Sequence, residues 1–146
     1  MKPILLAFVL LAGTFTKSFA HEPTRVEPAV LHSFQSTFAA ATQVDWSESE
    51  NLYKAVFFLG VQYITAYYNS DGTMQALTRH ISANSLPVIL QTALKNKYKE
   101  QWISDVLEVT ADGVVQYYVT LEDASQKVVL KSASTSWNTF QKNRKE

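Results

Sequence analysis

The sequence predicts an α+β protein made of two tandem α-β-β-β-β repeats. An apolar stripe with helical spacing occurs twice, and a proline opens it each time. Each stripe is followed by four segments that have the alternation or the residue types of β-strands. The two halves share this pattern more than they share residues, so we expect paired units at residues 28–81 and 87–140 that bury one another's apolar faces.

Length, composition and charge exclude several classes of protein. The chain has 146 residues, which is the size of a single domain, and 47% of them are hydrophobic, so it can bury a core. Its 13 basic and 13 acidic residues cancel, which argues against nucleic-acid binding. Because there is no cysteine, disulfides, thiolate metal sites, iron–sulfur clusters and thiol nucleophiles are excluded together.

Residues 1–20 have the three regions of a secretory signal peptide. A short positive start precedes an apolar run at residues 4–12, and the small residues Ser18 and Ala20 stand where signal peptidase reads the chain. The apolar run is too short to span a bilayer as a helix, which takes about 20 residues. We therefore expect cleavage after Ala20, a mature domain of residues 21–146, a periplasmic or secreted location and no stable membrane insertion.

The first half begins with a predicted helix at Pro28, because proline is tolerated in the first helical turn, where its missing N–H would have no partner. The apolar positions of this helix are Val30, Leu31, Phe34 and Phe38. The predicted strands that follow are residues 43–47, 52–59, 62–68 and 74–81. Asp71 and Gly72, between the last two strands, are typical of a tight hairpin turn that needs a positive φ.

The second half repeats this order from Pro87. Its helical stripe consists of Ile89, Leu90, Ala93, Leu94 and Tyr98, with Ile89 aligned to Val30 of the first half. The predicted strands are residues 103–110, 114–121, 127–132 and 135–140. The residues that we expect to be buried between helices and sheet are Phe34, Trp46, Tyr53, Phe57 and Leu90.

Several short motifs in the first half occur together in one known family. They are Phe38 at the end of the helix, the strand Ala41-Thr42-Gln43-Val44-Asp45-Trp46, Tyr53 in a hairpin, and the turn Tyr67-Tyr68-Asn69-Ser70-Asp71-Gly72. With these motifs the chain resembles the β-lactamase-inhibitor-like, PepSY-like family of secreted bacterial proteins. The second half keeps Leu86-Pro87, Tyr98 and Tyr117-Tyr118, but has Ser134-Thr135-Ser136 in place of the turn.

The resemblance implies an antiparallel sheet with the helices packed on one face, and a periplasmic setting. It implies no catalytic residues, because the family has no agreed activity.

Alternation of side chains along the strands leaves one sheet face rich in aromatic residues. If Tyr53, Ala55 and Phe57 face the helices, their neighbours along the chain face the other way. On that face the sequence predicts a protein-binding surface of Phe58, Tyr63, Tyr67 and Tyr118, flanked by Lys54, Lys127 and Lys131. Two other interpretations are a solvated face of strand-forming residues and a homodimer interface.

No catalytic or metal site is predicted. The three histidines do not have the spacing of a helical metal site, and no HExxH or GxSxG motif is present. The acidic cluster of Asp45, Glu48 and Glu50 is expected to flank a turn and to be solvated. We therefore expect no catalytic residue, metal ion or cofactor, and hence no enzyme.

These observations together predict a periplasmic, non-catalytic binding or inhibitor-like module. Its expected partner is another envelope or secreted protein, or a second copy of itself, and not nucleic acid. The alternative is an envelope protein that binds a small ligand or a peptide. A hydrolytic enzyme is the third class, disfavoured because no set of nucleophile, base and orienting group is visible.

Overall fold

The structure, a computed structural model, describes residues 24–145, and the predicted signal peptide therefore lies outside the described residues. One eight-stranded antiparallel sheet has its strands in chain order. The strands are β1 (Ala41–Ser49), β2 (Leu52–Leu59), β3 (Gln62–Tyr68), β4 (Met74–His80), β5 (Trp102–Ala111), β6 (Val114–Glu122), β7 (Gln126–Ala133) and β8 (Ser136–Arg144). The helices are α1 (Pro28–Thr37), α2 (Val88–Lys97) and a short 3-10 helix (Ala83–Ser85). Within residues 24–145, no helix has the length and apolar character needed to cross a membrane.

The predicted class, α+β with two tandem α-β-β-β-β repeats, is wrong. The protein is β-rich, because all eight strands belong to one sheet and the two α-helices have only 10 residues each. Strands β4 and β5, which the prediction put in separate repeats, pair from Ala76–Ala111 to His80–Leu107. An unpaired strand edge exposes N–H and C=O groups. Joining the halves edge to edge satisfies those groups, and a hydrophobic pattern along the chain cannot show that junction.

Helix α1 covers the half of the sheet formed by β1 to β4. It begins at Pro28, as predicted, and turns Phe34 inward. The Phe34 ring meets Phe57 and Trp46 edge-on, with centroid distances of 5.0 and 5.2 Å. The core beneath α1 consists of Val30, Phe34, Ala55, Phe57, Ile64, Ala66 and Tyr68.

Helix α2 covers the other half on the same face of the sheet. The core beneath it consists of Leu86, Leu90, Leu94, Val106, Val119, Leu121, Leu130 and Trp137. The Trp137 indole N–H donates to the Leu90 carbonyl at 3.0 Å, which ties β8 to the helix. Ile89 is 54% exposed. The predicted alignment of Val30 with Ile89 is therefore wrong by one residue, and Leu90 is the buried counterpart of Val30.

The five expected core residues differ in burial. Phe34, Phe57 and Leu90 are buried, as predicted. Trp46 and Tyr53 are half-buried and pack against the margin of the α1 core. Trp46 lies on the edge strand β1, whose outer side is covered by no strand of residues 24–145.

A charged pair separates the two cores on the helix-covered face. Arg79 of β4 donates from Nε to Glu108 Oε1 of β5 at 2.6 Å, and from a second guanidinium N–H to Gln62 at 3.3 Å. In register, Arg79 is level with Ile64 of the α1 core, and Glu108 is level with Tyr117 at the margin of the α2 core. The hydrogen bond to Glu108 raises the pKa of Arg79, so this guanidinium stays charged.

The predicted Asp-Gly turn joins β3 to β4. Gly72 has a φ of +87°, and the Asp71 carboxylate accepts a hydrogen bond from the Thr73 N–H at 2.9 Å. Hydrogen bonds from Thr73 lower the pKa of Asp71. A Cβ on Gly72 would stand 2.6 Å from the Ala29 carbonyl oxygen, so the turn packs too closely against α1 for any other residue.

Candidate protein-binding face

The sheet face opposite the two helices, called the open face from here on, carries all the predicted binding residues. On β2 and β3, Ala55 pairs with Ala66 in the core beneath α1. The next pair along the ladder, Lys54 with Tyr67, therefore points to the opposite side. The predicted residues of these two strands that lie there are Lys54, Phe58, Tyr63 and Tyr67.

The same alternation places the remaining predicted residues on β6 and β7. Val119 pairs with Leu130 in the core beneath α2, so the adjacent pair, Tyr118 with Lys131, lies on the open face. On the other side of the Val119–Leu130 pair, Val129 lies on the open face for the same reason. Lys127, two residues from Val129 along β7, lies there as well. Within residues 24–145, no helix covers this face.

Six side chains of the open face stand in one line across the strands, called the transverse row from here on. The row consists of Phe58, Tyr63, His80, Leu107, Tyr118 and Lys131. The ladders pair all of these neighbours except Tyr63 and His80. Those two are level because each lies one residue beyond the Ile64–Arg79 pair. At about 4.8 Å between strands, the row spans roughly 24 Å from β2 to β7.

Two aromatic pairs stand at opposite ends of the row. The rings of Phe58 and Tyr63 are in edge contact with a centroid distance of 5.3 Å, and those of Tyr118 and Phe140 with 5.2 Å. The Lys131 ammonium lies 5.7 Å from the Tyr118 ring centroid, within the range of a cation–π contact. Tyr63 is 49% exposed and Phe140 41% exposed, so each pair is held in place and remains accessible.

Between the aromatic pairs, the open face has a floor of smaller side chains. They are Ala76, Thr78, Leu107, Val109, Thr120 and Val129, each no more than 7% exposed. Since no helix of residues 24–145 lies over them, it is the longer side chains around them that keep water away. The open face is therefore a trough with a largely apolar floor and aromatic ends.

The acidic side chains near the floor have partners within the protein. His80 Nδ1 lies 2.7 Å from Asp105 Oδ1. Glu122 contacts Lys145 at 2.8 Å and Lys127 at 3.9 Å. The hydrogen bond from Lys145 lowers the pKa of Glu122, which keeps this carboxylate ionised.

Trp102 is an exposed aromatic residue of the open face that is not among the predicted binding residues. It pairs with Glu122 at the start of β5, is 54% exposed, and lies 5.1 Å beneath the Lys145 ammonium. The predicted strand began one residue later, at Ile103, so Trp102 was never assigned to a face. A bulge between Ile103 and Asp105 also breaks the alternation on which the assignment depended.

Phe140 was missed for a related reason. A bulge in the β7–β8 ladder leaves it between the partners of Val129 and Leu130 and turns its ring toward Tyr118. An interruption of this kind has no local signal in the sequence. A large aromatic residue at the end of the predicted strand 135–140, among polar neighbours, could still have marked Phe140 as a candidate.

The histidines and acidic residues singled out from the sequence do not come together among residues 24–145. Residues 24–145 hold no group of three or more histidines and acids that could bind a metal ion. The acidic cluster is divided, because Asp45 pairs across from Val56 on the open face whereas Glu48 pairs with Tyr53 on the other. His80 hydrogen-bonds to Asp105 and to no hydroxyl nucleophile among the described residues.

A groove that could hold a small ligand lies at one end of β7 and β8. It has a volume of about 410 Å³ and is lined by Ser125, Gln126, Lys142 and Arg144. Small-molecule sites are mostly apolar and enclosed. The polar, largely exposed lining of this groove does not favour the small-ligand alternative.

Solved structures with the same fold come from Bacteroides species. A DUF2874 family protein from Bacteroides uniformis has a TM-score of 0.73 and 14% identity, over 82% of this chain and 90% of that chain. A protein from Bacteroides eggerthii that is proposed to be periplasmic has a TM-score of 0.73 and 10% identity, over 82% and 89%. A BLIP-like protein from Bacteroides fragilis has a TM-score of 0.69 and 18% identity, over 82% and 86%.

These similarities show a shared fold. The BLIP-like neighbour supports the β-lactamase-inhibitor-like part of the resemblance at the level of the fold, whereas the PepSY-like part has no support. No family model and no curated protein matches the sequence.

Proposed function

We propose that the protein is a non-catalytic, inhibitor-like module of the bacterial envelope that binds another protein through its open face. The observation that carries this proposal is the pair of accessible aromatic contacts, Phe58–Tyr63 and Tyr118–Phe140, at the two ends of an apolar trough. Large apolar surfaces on a secreted domain commonly mark interaction sites, and aromatic residues supply most of the binding energy at such sites.

The geometry of the aromatic residues suits protein recognition. In each of the two pairs the rings are packed edge-on, so little side-chain freedom remains to be lost when a partner binds. Lysines around the row would orient the partner and make binding dependent on salt, rather than supply most of the affinity.

The similar structures support the class and the location. One neighbour is BLIP-like and another is proposed to be periplasmic, in agreement with the N-terminal segment expected to be a signal peptide. We propose the same setting for this protein, with a second copy of the chain as the other candidate partner for the open face.

Replacement of the more exposed member of each aromatic pair tests the proposal. The variant Tyr63→Ser/Phe140→Ser should stay folded, because both side chains project from the open face, but should capture no partner from envelope extract. The matched control is Val61→Ser/Ile89→Ser, which removes two exposed apolar side chains of 97% and 54% exposure away from the open face.

Affinity capture with the mature domain, followed by mass spectrometry, gives the result. At least one protein should be captured by the wild type and by the control but not by the aromatic variant. Sedimentation of the same three proteins would reveal a dimer that depends on the open face. Identical captured proteins and identical mass for all three would contradict the proposed function.

A further inference from the structure

The charges of the open face indicate what kind of segment it can bind. Its acidic side chains Asp105 and Glu122 already have partners within the protein, Asp105 in a hydrogen bond to the His80 ring and Glu122 in an ion pair with Lys145. Lys54 and Lys131 form no ion pair with any group of residues 24–145. Asp45 is also without an ion pair there, but it lies on the edge strand β1, beside the row rather than between its ends.

Each of the two lysines stands beside an aromatic side chain, Lys131 within the transverse row and Lys54 four residues along β2 from Phe58. On β2, Lys54 is paired across the ladder with Tyr67. On β7, the Lys131 ammonium lies over the Tyr118 ring. Each of these two cations therefore stands beside an aromatic ring, and the acidic side chain nearest the floor, Asp105, is already hydrogen-bonded to His80.

We propose, on the basis of the protein-binding function above, that the partner lays an acidic and apolar peptide segment across the strands of the open face. Carboxylates of this segment would meet Lys54 and Lys131, and its apolar side chains would fill the trough between the aromatic pairs. An extended segment that runs diagonally from Lys54 to Lys131, over roughly 27 Å, needs about eight residues at 3.3 Å each, and a helical one about eighteen at 1.5 Å.

The same charges disfavour a second copy of the chain on this face. A two-fold dimer uses one surface patch twice, and an axis through the middle of the row would exchange its two ends. A second copy would therefore bring the partner's Lys54 and the partner's Lys131 into the same contact area as these two lysines. Like charges in such a position oppose association, whereas carboxylates would stabilise it.

Reversal of the two charges tests this proposal with a defined probe. A displayed library of random peptides of about twelve residues, longer than the extended span of the row, is selected on the mature domain. The wild type should select peptides rich in Asp and Glu together with aromatic or aliphatic residues. The variant Lys54→Glu/Lys131→Glu should select peptides rich in Lys and Arg instead.

Matched variants separate the effect of the face from that of net charge. The control Lys95→Glu/Lys99→Glu makes the same change of charge at two exposed positions in and after α2, and should select the same peptides as the wild type. The neutral variant Lys54→Gln/Lys131→Gln should bind the selected acidic peptides about tenfold more weakly than the wild type, and this binding should depend less on salt. The melting temperature of each variant shows whether it is folded. If the charge-reversed variant does not fold, the result for the neutral variant decides the test.

The outcomes distinguish this proposal from the proposed function. The selected peptides could need Tyr63 and Phe140 without being acidic, or the charge-reversed variant could select peptides of the same charge as the wild type does. In either case the open face binds protein and this inference is wrong. If no selected peptide needs the aromatic residues, both are wrong. A third outcome is that no acidic peptide is selected and that phosphatidylglycerol vesicles bind in a way that requires the two lysines. This outcome would assign the face to a membrane surface and would also overturn the inference.

Discussion

At the scale of single residues, Tyr68 is the least typical member of the core. It is 0% exposed beneath α1, with ring centroids 6.2 Å from Trp46 and 6.5 Å from Phe34. Its hydroxyl makes no hydrogen bond to any group of residues 24–145. Burial raises the pKa of Tyr68 to about 12, because the phenolate would lose its hydration.

Replacement of Tyr68 by Phe should therefore change how stability depends on pH. The folded state holds the proton up to about pH 12, whereas the unfolded chain loses it near pH 10, so the wild type loses stability as pH rises through this interval. At pH 11 the loss due to Tyr68 is about 1 kcal/mol.

At pH 7.5, Tyr68→Phe should be as stable as the wild type or slightly more stable, because the removed hydroxyl has no partner to lose. Urea unfolding at pH 7.5 and pH 11 measures both effects. Tyr53 and Tyr67 also have raised pKa values, but both residues are present in the two proteins. Their effects on the pH dependence of stability therefore cancel in the difference between variant and wild type. A difference between variant and wild type that does not grow with pH would contradict this account.

At the scale of elements, the strongest local determinants are turn residues and apolar spacing. Strands β2 and β3 occupy the predicted residues 52–59 and 62–68, because Gly60, with a φ of +63°, makes the turn between them compact. Helix α1 is held mainly by Phe34, since its other buried side chain, Val30, is much smaller.

Truncation of Phe34 should accordingly destabilise the protein. Phe34→Ala removes contacts with Phe38, Trp46 and Phe57 and leaves a cavity, at a cost of about 3–5 kcal/mol in the free energy of unfolding. Ile89→Ala, at a half-exposed position of α2, should cost less than about 1 kcal/mol. A loss below about 1 kcal/mol for Phe34→Ala would show that α1 packs through another face.

At the scale of the whole molecule, one sheet carries two cores that share no buried residue. Between the cores, β4 and β5 are joined by their backbone ladder and by the Arg79–Glu108 pair. This ladder belongs to the same sheet as the ladders of both halves. We expect the two halves to unfold together, since opening β4 from β5 would expose two strand edges at once.

Hydrogen exchange can measure this cooperativity. In Phe34→Ala, the amides of β6, beneath α2, should lose as much protection as those of β2, beneath α1. The equality follows if both become exposed in the same global unfolding. Loss of protection restricted to β1, β2 and β3 would show instead that the halves unfold separately.

Much of this arrangement could be predicted from the sequence because it depends on neighbouring residues. Pro28 marks the start of α1, Asp71 and Gly72 mark a hairpin, and period-two alternation places Phe58, Tyr63 and Tyr118 on one face of the sheet. These features are set by backbone sterics and by side-chain direction within a few residues. That the seven predicted binding residues bind a partner stays a prediction.

Only the tertiary structure decided how the halves meet and which side chains become neighbours. The β4–β5 pairing, the alignment of His80 and Leu107 within the transverse row, and the His80–Asp105 contact join residues far apart in the chain. The bulges that bring Trp102 and Phe140 to the open face follow from strand register. Register is fixed by the summed hydrogen bonding and packing of whole strands, and no short stretch of sequence carries that sum.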